Sequence, residues 1–278
     1  MFASLSNKGK AILFIILAYS LGVIFSLLPN MNTFFYMFIP MLTTLIMMFV
    51  FTRDGYSKEG WKSLGLHKLG FKMWPFAIIV PLLPLVIGYG FVWMTGLGDF
   101  SVAKDFQGFS WSAFPLVIVF LLIKTTLMES LGEELGWRGY LLPKLLPLGM
   151  KKALLLSGLI HCLWHFPIIL FTDLYHADET LSIMLPLFIL TFVFIGPVFG
   201  YLRIKTGSVW PASLIHTSHN LYWGVFAYLT QSNSEVTKYL VGDTGVFLIV
   251  FYALMTLWVF KKLRSEKDVI PTQKDVVA

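Results

Sequence analysis

Apolar residues fall in eight long runs along this chain, at about 11–28, 33–51, 75–96, 111–131, 153–171, 181–202, 208–230 and 244–260. Each approaches or exceeds the roughly 20 residues that carry an α-helix across the hydrocarbon core of a bilayer. None shows the period-2 alternation of a membrane barrel strand. The pattern predicts an all-α fold, a polytopic transmembrane helical bundle of about eight spans. It forms a single domain over 1–278, with a polar tail over 261–278. Prolines in or near several spans are compatible with this, because neighbouring helices can satisfy the backbone groups that a kink frees.

Composition strengthens the pattern. The chain is 57% hydrophobic and 13% charged, whereas soluble domains carry about 25% charged residues. Lys and Arg alternate between successive connections. They cluster before the first run, around Arg53–Lys72, after the fourth run, at Arg203 and Lys205, and after the eighth. The intervening connections hold at most one each, Lys104 and Lys238. By the positive-inside rule both termini, and with them the 261–278 tail, are expected in the cytoplasm. The net charge of +6 follows from this distribution and does not point to nucleic acid. The first run is longer than a signal-peptide core and lacks a clear small-residue cleavage site, so an uncleaved first span is expected. A single cysteine, Cys162, excludes an internal disulfide and a multi-cysteine zinc site.

Ionisable groups change the picture further, because they are concentrated in and after run four, in run five and in run seven. Charges at membrane depth are expensive and mark function. Glu133 and Glu134 are neighbours, so on a helix their side chains point about 100° apart. Glu134 and Arg138 are one turn apart and placed to pair, which leaves Glu133 to face elsewhere. Lys124 is placed either to snorkel or to pair with Glu129. His161 and His165 share a face of run five, and His216 and Asn220 a face of run seven, with His219 turned off it. A carboxylate, an imidazole and a pair of donors are the parts needed to activate water against an amide carbonyl. Each cluster taken alone also fits an ordinary helix-end ion pair or interhelical hydrogen bonding.

These motifs resemble those of the CPBP intramembrane proteases, the Abi or CAAX prenyl protease 2-like family. Glu133, Glu134 and Arg138, followed by Gly139, match the Glu-Glu-x-x-x-Arg motif. His161-Cys-Leu-Trp-His165 matches Phe-x-x-x-His with His161 in place of Phe, and His216 to Asn220 matches His-x-x-x-Asn. The likeness covers roughly 115–225. It implies an endopeptidase acting near the cytoplasmic membrane face on a membrane-associated peptide or protein. Glu133 and His165 would activate the attacking water, and His216 and Asn220 would stabilise the oxyanion. Glu134 and Arg138 would orient the site at the helix end, and His161 is a candidate accessory. The chain has no His-Glu-x-x-His zinc motif. If a divalent metal such as zinc takes part, its ligands would come from Glu133, His161, His165 and His216, and metal-free chemistry is favoured. The family is linked to bacteriocin self-immunity, so a non-catalytic immunity or scaffold protein of the same fold is the alternative. A proton-coupled transporter fits less well, since no inverted repeat is evident. The expected location is a cell membrane, multi-pass, in the style of a bacterial plasma membrane.

Overall fold

The computed structural model describes residues 5–265. Seven helical stretches among the described residues are long and apolar enough to span a membrane. They are α1 (Asn7–Ser26), α2 (Thr33–Phe51), α3 (Phe71–Thr95), α4 (Phe114–Leu148), α5 (Met150–Phe171), α6 (Leu181–Thr206) and α8 (Thr237–Ser265). The remaining apolar run of the sequence is also a helix, α7 (Trp210–Tyr228). Ser213, His216, Thr217, Ser218, His219 and Asn220 make it too polar to count with the others. Among the described residues the bundle is all-α apart from one short antiparallel pair, β1 (Gly98–Phe100) with β2 (Thr230–Ser232), and an isolated bridge between Phe106 and Phe109. The part of the expected tail beyond residue 265 lies outside the described residues.

Small residues set how closely the helices approach. Gly158 of α5 and Gly196 of α6 face each other so tightly that a Cβ on Gly196 would lie 2.5 Å from the Gly158 Cα. A Cβ on Gly158 would run into the Phe192 carbonyl. Backbone-on-backbone contact of this kind replaces the hydrophobic drive that is missing between helices in lipid. Gly132 and Gly136 do the same for α4 against α2. Added Cβ atoms there would sit 2.8 Å from the Met37 carbonyl oxygen and 2.5 Å from the Pro40 Cβ. These two glycines bracket Glu133 and Glu134, so the close approach also sets the position of the carboxylates.

Helix α4 is not uniform. Its backbone breaks at Met128 (φ −119°, ψ −88°) and resumes over Glu129–Glu134. It then widens into a π turn over Leu135–Leu141, a distortion often found at functional sites. This corrects the expectation that Glu133, Glu134 and Arg138 lie at a helix end. The helical stretch runs on to Leu148, and these three side chains are 2%, 0% and 0% exposed. Arg138 Nη1 pairs with Glu134 Oε1, while Glu134 Oε2 and Arg138 Nε and Nη2 are buried without a hydrogen-bond partner.

Helix α5 is interrupted at His165, two residues before Pro167, which has no N–H to continue the ladder. Tyrosines from the first two helices occupy the neighbouring carbonyls. Tyr19 Oη donates to the Ile160 oxygen and Tyr36 Oη to the Trp164 oxygen, both at 2.8 Å. Helix α7 is stitched to α4 by Ser213 Oγ to the Thr126 carbonyl (2.7 Å) and Thr217 Oγ1 to Ser130 Oγ (2.9 Å). That register sets His216 beside Glu134.

Candidate active site

Helices α4, α5 and α7 bring Glu133, His161, His165, His216 and Asn220 to one cavity of about 170 Å³. Ile168, Phe192, Ile195, Phe199 and Trp223 form its apolar walls. His219 also lines this cavity, although its sequence position turned it away from the His216–Asn220 face. It is buried, and its Nδ1 lies 3.4 Å from Tyr252 Oη. Cys162 is buried. Lys124 resolves to an ion pair with Glu129.

The polar groups form one connected chain. Arg138 Nη1 donates to Glu134 Oε1 at 2.8 Å and contacts His161 Nδ1 at 3.0 Å. His161 Nε2 meets Glu133 Oε2 at 2.7 Å. His216 Nδ1 meets Glu134 Oε1 at 3.0 Å. His165 Nδ1 lies 3.1 Å from the His161 carbonyl oxygen. The nearest imidazole to Glu133 is therefore His161, whereas the sequence suggested that Glu133 faces His165.

Hydrogen-bond chemistry assigns the protons. A guanidinium only donates, so His161 Nδ1 accepts from Arg138 and His161 Nε2 carries the hydrogen given to Glu133. A carbonyl only accepts, so His165 Nδ1 bears hydrogen and its Nε2 keeps a lone pair. By the same logic His216 donates through Nδ1 to the Glu134 carboxylate. His216 can then act as a donor through Nε2 only when the ring carries both protons.

The same chemistry tests the zinc reading. Glu133, His161 and His165 offer ligand atoms within 4.8 Å of one another, and His216 is not among that group. A neutral imidazole that binds a metal through Nε2 carries its hydrogen on Nδ1. At His161 that hydrogen would point at the Arg138 donor 3.0 Å away. As arranged, the three residues do not fit a zinc ion.

A second polar cluster, absent from the expectations drawn above, stands on the same cavity. Tyr175 and Asp243 both line the chamber. Tyr175 Oη donates to Asp243 Oδ2 at 2.8 Å. His176 bridges Glu179 (2.5 Å) and Asp243 (3.6 Å). Burial opposes charge on His176, but the hydrogen bond to Glu179 and the Asp243 carboxylate outweigh it and hold its pKa above the ordinary range. These residues come from the segment after α5 and from the 242–245 turn that interrupts α8. Neither place has a helical period that would have flagged them.

Residues 113–222 match the family model described as type II CAAX prenyl endopeptidase, Rce1-like. The chain is 31% identical over 189 residues to the CAAX prenyl protease 2 of Methanococcus maripaludis, covering 66% of this chain and 63% of that protein. The chain thus spans less than two thirds of the relative it matches. The matched segment contains α4, α5 and the part of α7 that carries His216 and Asn220. With seven helices able to cross a membrane among the described residues, the chain is a multi-pass membrane protein whose residues 113–222 are similar to the Rce1-like family.

Proposed function

We propose that this chain is an intramembrane endopeptidase that hydrolyses a peptide bond with a water activated by Glu133 and His165. The convergence of Glu133, His165, His216 and Asn220 on one mostly apolar cavity carries this proposal. The His165 Nε2 lone pair and the Glu133 carboxylate are neighbouring bases that one water in the chamber can meet. As that water attacks the scissile carbonyl, its proton passes to this pair. The developing oxyanion meets Asn220 and a doubly protonated His216, whose second proton is balanced by Glu134. The proton held by the base is then delivered to the departing amine, so the overall change is addition of one water across the amide. Preorganised donors in a dry site are worth more than the same groups in water.

The relative's name suggests the substrate class, a prenylated C-terminal CAAX peptide. The positive-inside distribution supports a cytoplasmic face for both termini and for the connection that follows α4, flanked by Lys144, Lys151 and Lys152. A membrane-associated substrate would be met there. The test is cleavage of a quenched farnesylated CAAX peptide by the purified full chain in liposomes. It is paired with comparative proteomics of cells carrying the wild type or Glu133→Gln. Release of the C-terminal tripeptide by wild type and not by Glu133→Gln is the expected result. Full activity in Glu133→Gln would remove Glu133 from the mechanism. A peptide left intact while membrane proteins accumulate in the Glu133→Gln cells would keep the peptidase and reassign its substrate.

A further inference from the structure

The catalytic proposal gives no task to His161, the buried imidazole that contacts Glu133. His161 is 2% exposed and sits at the centre of the polar chain. Its ring is held from two sides. Trp137 stacks on it at 5.0 Å with planes 27° apart, and Phe192 meets it edge-on at 4.9 Å and 90°. Packing therefore restricts the ring's rotation, and the two ring nitrogens have fixed and opposite duties. Nδ1 accepts from Arg138, and Nε2–H is given to Glu133 Oε2. The backbone of the same residue does a third thing. Its carbonyl accepts from His165 Nδ1 and so sets which nitrogen of His165 keeps a lone pair.

We propose that His161 is a positioning residue that holds the Glu133 carboxylate and couples it, through Arg138 and Glu134, to His216. This rests on the peptidase reading for its kinetic consequence but not for its geometry. One carboxylate oxygen of Glu133 is occupied by the His161 N–H, which fixes the direction in which the other can meet a water. Arg138 ties the far side of the ring to the carboxylate that orients His216. The base and the oxyanion side are thereby parts of one hydrogen-bonded unit. His161 works as a neutral Nε2–H imidazole, so it is not available as a metal ligand.

Two measurements test this, and one needs no substrate. Nitrogen-15 NMR of histidine-labelled full chain in lipid, with the His161 signal identified by its loss in His161→Gln, should show the neutral Nε2–H tautomer at pH 7. An Nδ1–H tautomer or an imidazolium at that position would overturn the proposal. In the cleavage assay, His161→Phe should lower kcat about 100-fold, the order expected when a reacting group is misplaced by about 1 Å. KM should stay within about twofold, and the acid limb of the pH profile should move, because Glu133 loses its donor. His161→Gln, whose amide supplies a donor and an acceptor, should recover most of the rate. Wild-type kcat and an unmoved pH profile in His161→Phe would overturn the positioning role. Failure of the wild type to cleave any peptide would instead count against the peptidase reading and leave the NMR result to decide on His161.

Discussion

Two polar clusters face one chamber and are built in opposite ways. The first, from Glu133 through His161 and Arg138 to Glu134 and His216, stands on three helices held by glycine contacts and tyrosine caps. The second, Tyr175, His176, Glu179 and Asp243, stands on a connecting segment and on a turn that interrupts α8. Rigid helices hold groups to the tolerance that bond-making needs. Segments between helices open more readily, which suits groups that shape or close a cavity. The contrast predicts that the first cluster governs rate and the second governs access or local stability.

The largest expected break of this contrast is His165→Ala. Loss of the Nε2 base should cut kcat by about 10²–10⁴-fold, the usual worth of a positioned acid or base. Rates read beside unchanged thermal unfolding would put the loss in chemistry. Asn220→Ala should come next, at about 10²–10³-fold in kcat, as for one oxyanion donor. A change confined to KM would move Asn220 from the transition state to ground-state binding.

Arg138→Ala should act on stability first. It leaves Glu134 fully buried without its cation, which costs about 3–5 kcal/mol when a buried pair is broken. Unfolding in detergent measures that cost, and a stable variant would show that His216 alone compensates Glu134. In the second cluster, His176→Gln keeps a donor but loses the charge beside Glu179, and should cost about 1.5–3 kcal/mol with kcat unchanged. Its sign with pH is set by the raised pKa of His176. The stabilisation is complete below about pH 6.5 and is lost as pH rises through the folded-state value. The wild type's advantage over His176→Gln should therefore shrink with increasing pH, and a gap that widened would contradict the ion-pair assignment. The smallest effect is expected from a chelator, which should leave the cleavage rate unaltered. Activity lost to the chelator and restored by zinc would mean that His161 and Arg138 separate in the working enzyme.

Helical spacing made much of the first cluster legible in the sequence. The i,i+4 rule places Arg138 on Glu134 and puts His161 and His165 on one face. It could not show which partner Glu133 takes, because His161 is 28 residues away on another helix. Nor could it foresee the π turn after Glu134, which depends on packing against α2 rather than on local propensity. Asp243 and Tyr175 were illegible for a different reason. They are 68 residues apart in irregular segments, where no period links sequence position to direction.

The tyrosine caps on α5 have a consequence for how this protein can be dissected. Tyr19 and Tyr36 lie well before residue 113, where the family-matched segment begins, yet they serve two carbonyls of the turn that leads into the break at His165. A carbonyl without a partner in hydrocarbon costs several kcal/mol. A chain cut down to 113–222 would keep every motif and lose both donors. The matched segment is therefore not a portable cassette, and its transfer into another bundle would require two new hydroxyl donors at the same depth.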